Sequence, residues 1–479
     1  MMPDIESSVC SLMQDVSSLS IILDELTDNT NRVVLDILFK IPQREKPVLA
    51  QTCILDGNIN YRSLAQCVIE ALGKYKISLT KGVVDALTGD GASYITKAYT
   101  DILQPLIPDL IRVWCLSHQL NLVGEKWRDH KNNGLLKKYL SLMNSLFSHS
   151  TARKLRFKSV CQRFGLPPTL LPVYNVTRWN SWYECVVANY MKLSAIPTFI
   201  LEECESCARE APQNLLDLKE MIDDREVWFT VSLGLAFTTC CMKRLSVTLD
   251  MFQSRRPLSQ LVKGRMDGLR TYYNRLSTTV DPAEFGIQAV LQSVEGLADE
   301  SVSDSVQHCQ GICSSVAAAV QDYICKQPGW KFFEAARIFD PRTICGNVDS
   351  GASRDIAAYK AIPWLAKDVN NNSMLDEWAV YVAQDLADLN GYTNLDADAK
   401  EQFDILQYWR DRIGSLPHLS AHALRTLNVP VSSADAERAF SSYNKLVSSS
   451  RLSLCDESIQ VLHSAAWNSD IAGRFQGYN

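Results

Sequence analysis

Five short apolar runs lie within the first 115 residues, and their order limits what the chain can fold into. Leu19–Asp24, Val33–Ile41 and Val48–Leu55 are rich in aliphatic and β-branched residues and are joined by short polar links, the first being Thr27-Asp28-Asn29-Thr30-Asn31. That pattern predicts a meander of three antiparallel strands. Tyr61, Leu64, Ala65, Val68, Ile69 and Leu72 then recur at helical spacing. A fourth strand, Val83–Leu87, runs into Thr88-Gly89-Asp90-Gly91-Ala92, and a helix follows to about Leu103. A fifth strand covers Leu110–Cys115, and another helix starts near Gln119. The expected order is β-β-β-α-β-α-β-α.

Three meandering strands followed by right-handed helical crossovers make the ribonuclease H-like order, an α/β core on a mixed five-stranded sheet. In that order the first and fourth strands are parallel neighbours. Asp24 and Asp90 are each expected to close one of them, so their carboxylates meet at one sheet end, where open α/β sheets gather ligands. Two carboxylates there repel unless a cation lies between them, and an oxygen-rich site suits Mg²⁺ or Mn²⁺. Each acid also fits a plain turn role. Asp28 competes with Asp24 for the place, and Asp90 lies between glycines, where Asp is a common turn residue. Their pairing on adjacent strands favours the metal.

Near the other end, Val429-Pro430-Val431-Ser432-Ser433-Ala434-Asp435-Ala436-Glu437-Arg438-Ala439-Phe440-Ser441 reads as a helix start. Pro430 stops what precedes it, Ser432 or Ser433 can cap, and Ser432-x-x-Asp435 has the form of a capping box. Ala436, Phe440, Tyr443 and Val447 set an inward face. Glu437 lies beside that face. On spacing alone it is either an exposed first-turn acid favoured by the helix dipole or an inward acid with a partner, and the first reading is preferred.

Between Trp127 and about Lys400 the periodicity is helical and no strand pattern emerges. Glu202 to Glu226 is acid-rich and reads as a solvated helical face. Lys126 to Arg178 carries eleven Lys or Arg and one acid, Asp129, a charge of +10 in a chain whose net charge is −6. One-sided charge of this density predicts a phosphate-binding surface. Its expected contacts are Arg153, Lys154, Arg156, Lys158, Arg163 and Arg178, with Phe157 and Phe164 between them. Trp179, next to Arg178, is either a stacking platform for an unpaired base or a core side chain. Fifteen cysteines without framework spacing, and no basic-then-apolar leader, point to reduced thiols inside a cell. No apolar run is long enough to span a bilayer.

Several of these stretches resemble hAT-family transposases. Phe403-Asp404-Ile405-Leu406-Gln407-Tyr408-Trp409, Leu416-Pro417-His418-Leu419, Val429 to Ser441 and Arg451-Leu452-Ser453 look like the family's C-terminal dimerisation region. Ser432 to Ser441 fits its Ser-Ser-Ala-x-x-Glu-Arg-x-Phe-Ser motif without a gap. The resemblance implies that Glu437 is the third acid of a DDE triad with Asp24 and Asp90, together holding two Mg²⁺ or Mn²⁺ ions for phosphodiester cleavage and strand transfer. Asp24 stands in the family's Asp-x-x-Thr context, whereas Gly89, between Thr88 and Asp90, departs from its Thr-Asp pattern. Cys115-x-x-His118 matches the family's Cys-x-x-His, read as structural support near the site and not as a zinc site. Thr177-Arg178-Trp179 resembles the Thr-Arg-Trp motif, which implies that Arg178 and Trp179 handle the DNA end.

The same resemblance implies three parts: residues 1–127 as the first part of the core, 128–400 as an all-helical insertion, and 401–479 as the dimerisation region that completes the core. It also implies DNA and a second copy of the chain as partners, no membrane, and a nuclear location. Family members usually begin with a BED-type zinc finger. Only 18 residues precede the first expected strand, with one cysteine, Cys10, so no finger is expected within them. The alternative is a domesticated, non-enzymatic, dimeric DNA- or chromatin-associated protein.

Overall fold

The computed structural model describes residues 2–55, 57, 59–147, 150–173, 179–207, 211–280, 290, 299–345, 352–384, 403–447 and 454–472. Thr177, Arg178 and the Arg451-Leu452-Ser453 motif lie outside them. The chain forms two compact units. One comprises residues 1–118, 251–265 and 326–479, and the other residues 119–250 and 266–325.

The first unit holds one mixed sheet of β1 (Leu19–Thr27), β2 (Val33–Lys40), β3 (Val48–Leu55), β4 (Val84–Gly89) and β5 (Ile111–Trp114), in the order β3-β2-β1-β4-β5. β1 pairs antiparallel with β2 and β2 with β3, while β1–β4 and β4–β5 are parallel. Both faces are buried. Ile21, Leu23, Leu35, Ile37 and Phe39 pack with Leu64, Val68 and Leu72 of the helix Tyr61–Lys74 and with Ile5, Val9 and Met13. Those last three belong to a helix, Met2–Gln14, that the sequence reading did not assign, although they recur every four residues. On the opposite face Ile22 and Leu38 meet Ala436, Ala439 and Trp467, and Val34 meets Phe440, Tyr443 and Ile459. The helices Ala434–Leu446 and Asp456–Trp467 therefore form the second layer. Each fully buried aliphatic or aromatic side chain contributes roughly 1.5–3 kcal/mol.

Residues 326–345 and 352–384, expected within the helical segment, carry helices and no strand and group with the sheet-bearing unit. The Gln327 side chain accepts from Trp114 N and donates to Trp114 O, both at 2.9 Å, much as a neighbouring strand would. At Gly329 a Cβ would stand 3.0 Å from Arg112 O. These contacts cover the edge of β5 and satisfy backbone groups that would otherwise be open. The same segment packs on apolar residues beyond Phe403. Ile405, Trp409, Leu416, Leu419 and Leu427 are buried. Trp409 donates to Phe339 O at 2.8 Å, and its ring packs on Phe339 and Tyr381.

The described residues of the second unit form helices and no strand. Phe147, Phe157 and Phe199 make a ring cluster with centroids 5.0–5.6 Å apart. No helix among the described residues is long and apolar enough to cross a membrane.

Candidate carboxylate site

β1 pairs with β4 as far as Ile22 and Thr88, and continuing that register sets Asp24 level with Asp90. On its other edge β1 keeps pairing with β2 out to Thr27 and Val33. Asp24 therefore lies inside its strand instead of closing it, at the point where β1 parts from β4. It shares the face of Ile22, two residues away, which is the face covered by the helix Ala434–Leu446. Asp90 does follow β4 directly. Its Oδ1 accepts from Ala92 N at 2.9 Å, so it also serves the turn into the helix Ser93–Ala98. At Gly89 a Cβ would stand 2.8 Å from Leu23 Cδ1 and 3.1 Å from Leu23 O. The glycine that departs from the hAT pattern is thus the residue that lets β4 close on β1.

Glu437 reaches the sheet by a different route. Leu116 N donates to Val431 O at 3.0 Å and Thr88 Oγ1 to Pro430 O at 3.0 Å, laying residues 430–431 against the ends of β4 and β5. Cys115 Sγ accepts from Ser433 N at 3.3 Å and from His118 N at 3.4 Å. Cys115 and His118 thus meet through a backbone amide, and the thiol also holds the start of the Glu437 helix. The expected capping box is not formed. Ser432 Oγ donates to Phe252 O at 2.7 Å, Asp435 pairs with Arg255 and Arg438 at 2.8 and 3.0 Å, and Ser433 at the cap position makes no side-chain cap bond. Tertiary partners have taken the groups a box would use. Ala436, Phe440, Tyr443 and Val447 are buried as their spacing predicts, and Glu437 is exposed beside them.

The electrostatics separate the acids. Burial pushes the Asp24 carboxyl up to about 8, and Glu437, Asp90 and Glu25 reinforce it against a hydrogen bond from Glu25 N. Burial also raises Glu25, with a Tyr94 hydrogen bond opposing and Asp90 adding to the rise. Asp28, the competitor for Asp24's place, is the reverse case. Burial alone would raise it, but hydrogen bonds from Thr30 and Arg32 outweigh burial and hold it at about 2. Tyr443 OH adds a donor at 3.1 Å. Asp28 is the centre of its turn, whereas Asp24 faces other carboxylates.

Beneath Asp90 lies Arg112, 2 % exposed. Its guanidinium donates to Leu87 O at 3.2 Å, Gly89 O at 3.4 Å, and the carbonyls of Asp90 and Val113. Burial lowers it to about 10, and the Asp90 charge works against that fall. The sequence reading missed Glu25, Tyr94 and Arg112. Only Arg112 carries a signal, a charged residue inside the apolar run Ile111-Arg112-Val113-Trp114. Among the described residues no group of three His, Cys, Asp or Glu side chains stands arranged to hold a metal ion, and all fifteen cysteines are free.

In the second unit the basic segment is partly neutralised. On the helix Thr151–Arg163, Arg153 and Arg156 both pair with Glu203, and Arg163 pairs with Glu202. Glu203 is buried. Burial would raise it, but the hydrogen bonds from Arg156 and Arg153 prevail and lower it. The acidic stretch read as a solvated face therefore supplies internal counter-charges. Lys154 and Lys158, on the same helix, keep partial exposure. Trp179 is fully buried. Its ring stacks on Tyr183 with centroids 5.2 Å apart and fills the space where a Cβ on Gly124 would lie 2.2 Å away. As placed, it is a core side chain with no face open to a base, and the expected stacking platform is not present.

Residues 380–467 match the hAT family C-terminal dimerisation region. Among curated proteins none matches the chain. The match spans the helix of Glu437 and supports self-association of the chain, which the burial of its apolar residues within one unit does not require. Over that region, the chain is similar to the hAT-family transposases.

Proposed function

We propose that the chain is a hAT-type transposase core, or a protein derived from one, in which a ribonuclease H-like catalytic fold is interrupted by a helical insertion. The observation that carries the catalytic reading is the Asp24 carboxyl, pushed up to about 8 by burial and by Glu437 and Asp90. A half-buried acid raised by desolvation and then by acidic neighbours is in the state that a divalent cation relieves. The donor set is all oxygen and suits Mg²⁺ or Mn²⁺. Asp24, Asp90 and Glu437 would hold the ions, and when bound these would supply an activated water or 3′-hydroxyl and Lewis-acid stabilisation of the phosphodiester. Asp24 would hold an ion as the carboxylate, with its proton released to water. Arg112 ties down the carbonyls of residues 87, 89 and 90, so the backbone of Asp90 is fixed in place. Tyr94 acts against the rise of Glu25, the fourth acid of the group.

Cleavage of a pre-nicked DNA end in the presence of Mn²⁺ tests this. Wild type should cut, and Asp90→Asn should lose at least 100-fold while keeping its fold by circular dichroism, on the scale of losing a principal catalytic group (~10²–10³). Metal binding without cleavage would favour the domesticated, non-enzymatic alternative.

DNA as a partner, and with it a nuclear location, rests on the basic helix. Lys154→Glu with Lys158→Glu should weaken duplex binding and reduce the slope of log affinity against log salt by about 2. A slope unchanged from wild type removes this helix from the interface. Arg156 is omitted from the test because its loss would also strip Glu203 of a partner.

A further inference from the structure

The first unit contains a cavity of about 670 Å³ that the carboxylate chemistry does not use. It is bounded by Ile22 of β1, by residues between 40 and 47 at the end of β2, by residues between 253 and 261, by Arg342, by residues between 403 and 410, and by residues between 424 and 435 with Arg438. Lys40 lies four residues along β2 from Asp36, the cross-strand partner of Asp24, or ~13 Å at the rise of an extended chain. Seven of the lining residues are Lys or Arg and three are Asp or Glu, in a protein whose net charge is −6. Two of the acids are engaged and Glu45 is exposed. Four of the bases are paired as well, Arg44 with Asp470, Arg342 with Asp340, and Arg255 and Arg438 with Asp435. Asp435 is shared by Arg255 and Arg438, and Asp404 accepts from Gln407 N at 2.9 Å at the head of its helix. Lys40 Nζ donates to Arg44 O and Glu45 O at 2.6 and 2.7 Å. Arg256 and Arg410 are exposed at the rim.

Concentrated positive charge within a concave space raises the local concentration of anions. Guanidinium forks match phosphate oxygens in geometry, and Arg binds them by pairs of parallel hydrogen bonds. The remaining lining, with Leu258, Leu427, Val429 and Pro430, is apolar, as the body of a base or sugar requires. The volume falls within the range of small-ligand sites, about 300–1,000 Å³. We propose that this cavity is a phosphate-binding site for a nucleotide, either a free nucleoside polyphosphate or the terminal nucleotide of a DNA strand. The site is independent of whether the three acids bind metal.

The charge state of Lys40 agrees with this assignment. Burial lowers it to about 8, Asp435 and Glu45 pull it upward, and Arg255 and Arg44 add to the fall. A phosphate beside it would raise it again and hold its charge.

Thermal melting of the full chain in EDTA, at fixed ionic strength, tests the site. The probes are ATP, inorganic pyrophosphate and a short single-stranded oligonucleotide. At saturation at least one probe should raise the melting temperature by about 3 °C or more, while sodium chloride at matched ionic strength should not. In the double variant Arg256→Gln, Arg410→Gln, affinity for that probe by calorimetry should fall at least tenfold, with the unliganded melting temperature unchanged. Lys40→Met should also weaken binding, which covers the case in which the double variant folds poorly. A response to ATP or pyrophosphate identifies a free polyphosphate, and a response to the oligonucleotide alone identifies a strand end. No response to any probe overturns the proposal, as does a response that the double variant and Lys40→Met both retain.

Discussion

Without divalent cation, Asp24→Asn should melt at a higher temperature than wild type at pH 8, and with Mn²⁺ that order should reverse. The sign follows from linkage. The Asp24 carboxyl rises from its ordinary 3.8 to about 8 in the fold, first through burial and then through Glu437 and Asp90. A group raised in the native state contributes stability that is fully present below its unfolded value and is lost as pH climbs through the folded one. Apo wild type should therefore lose stability progressively between about pH 4 and 8, and Asn, which cannot ionise, should escape that loss. At about 1.4 kcal/mol per pH unit the upper limit is about 6 kcal/mol. A cation reverses the balance for the wild type alone, because it pairs with the carboxylate that the apo fold disfavours. Its stabilisation should grow with pH up to about 8, as the proton it must displace becomes easier to remove. Two controls separate the metal site from general acidity. Asp28→Asn loses the centre of a turn, and Asp435→Asn loses pairs with Arg255 and Arg438, so both should destabilise yet keep the Mn²⁺ shift. Equal Mn²⁺ shifts in wild type and Asp24→Asn would remove Asp24 from any metal site.

Much of the sheet was legible because strand order and apolar runs are local signals. All five strands fall within three residues of their expected ends. What failed was longer in range. Asp24 was expected to end β1, but strand length is set by both edges, and pairing with β2 outlasts pairing with β4. The capping box at Ser432 and Asp435 was sound as a local pattern, yet Phe252 and Arg255, far away in sequence, claim the same groups. Glu203 shows the same limit, since an acid-rich helix cannot announce from its own sequence that Arg153 and Arg156 will bury one of its carboxylates. Gly89 runs the other way. As a departure from a motif it weakened the assignment of Asp90, and only the approach of Leu23 explains why no larger residue stands there. The grouping of residues 326–384 with the sheet-bearing unit depends on contacts such as Gln327 with Trp114, which leave no periodic trace.

Arg425→Met should destabilise the protein by about 3–5 kcal/mol at pH 8 and by much less at pH 5, as measured by urea denaturation. Arg425 lies near the end of the helix Pro417–Leu427, within the matched dimerisation region, and donates to Asp85 Oδ1 and to Gly82 O at the start of β4. It also lies over the Trp364 ring, 4.5 Å from its centroid. Asp85 is fully buried. Burial raises its carboxyl to about 6, although Arg425 and a hydrogen bond from Ser18 act against the rise. Its folded value is above its ordinary 3.8, so its contribution is complete below about pH 4 and is lost as pH rises through about 6. Removing the guanidinium takes away the main force opposing burial, and the carboxyl moves higher still. At pH 8 the variant must then either bury an unpaired anion or hold a proton that water would take, whereas at pH 5 the acid is already neutral and only contacts are lost. Met retains much of the packing over Trp364, so the pH-dependent part of the cost reports on charge. Asp85→Asn in the Arg425→Met background should recover most of the loss at pH 8 and little of it at pH 5. A cost that is the same at both pH values, and unchanged by Asp85→Asn, would mean that the dimerisation region is joined to the sheet by packing and that the ion pair is incidental.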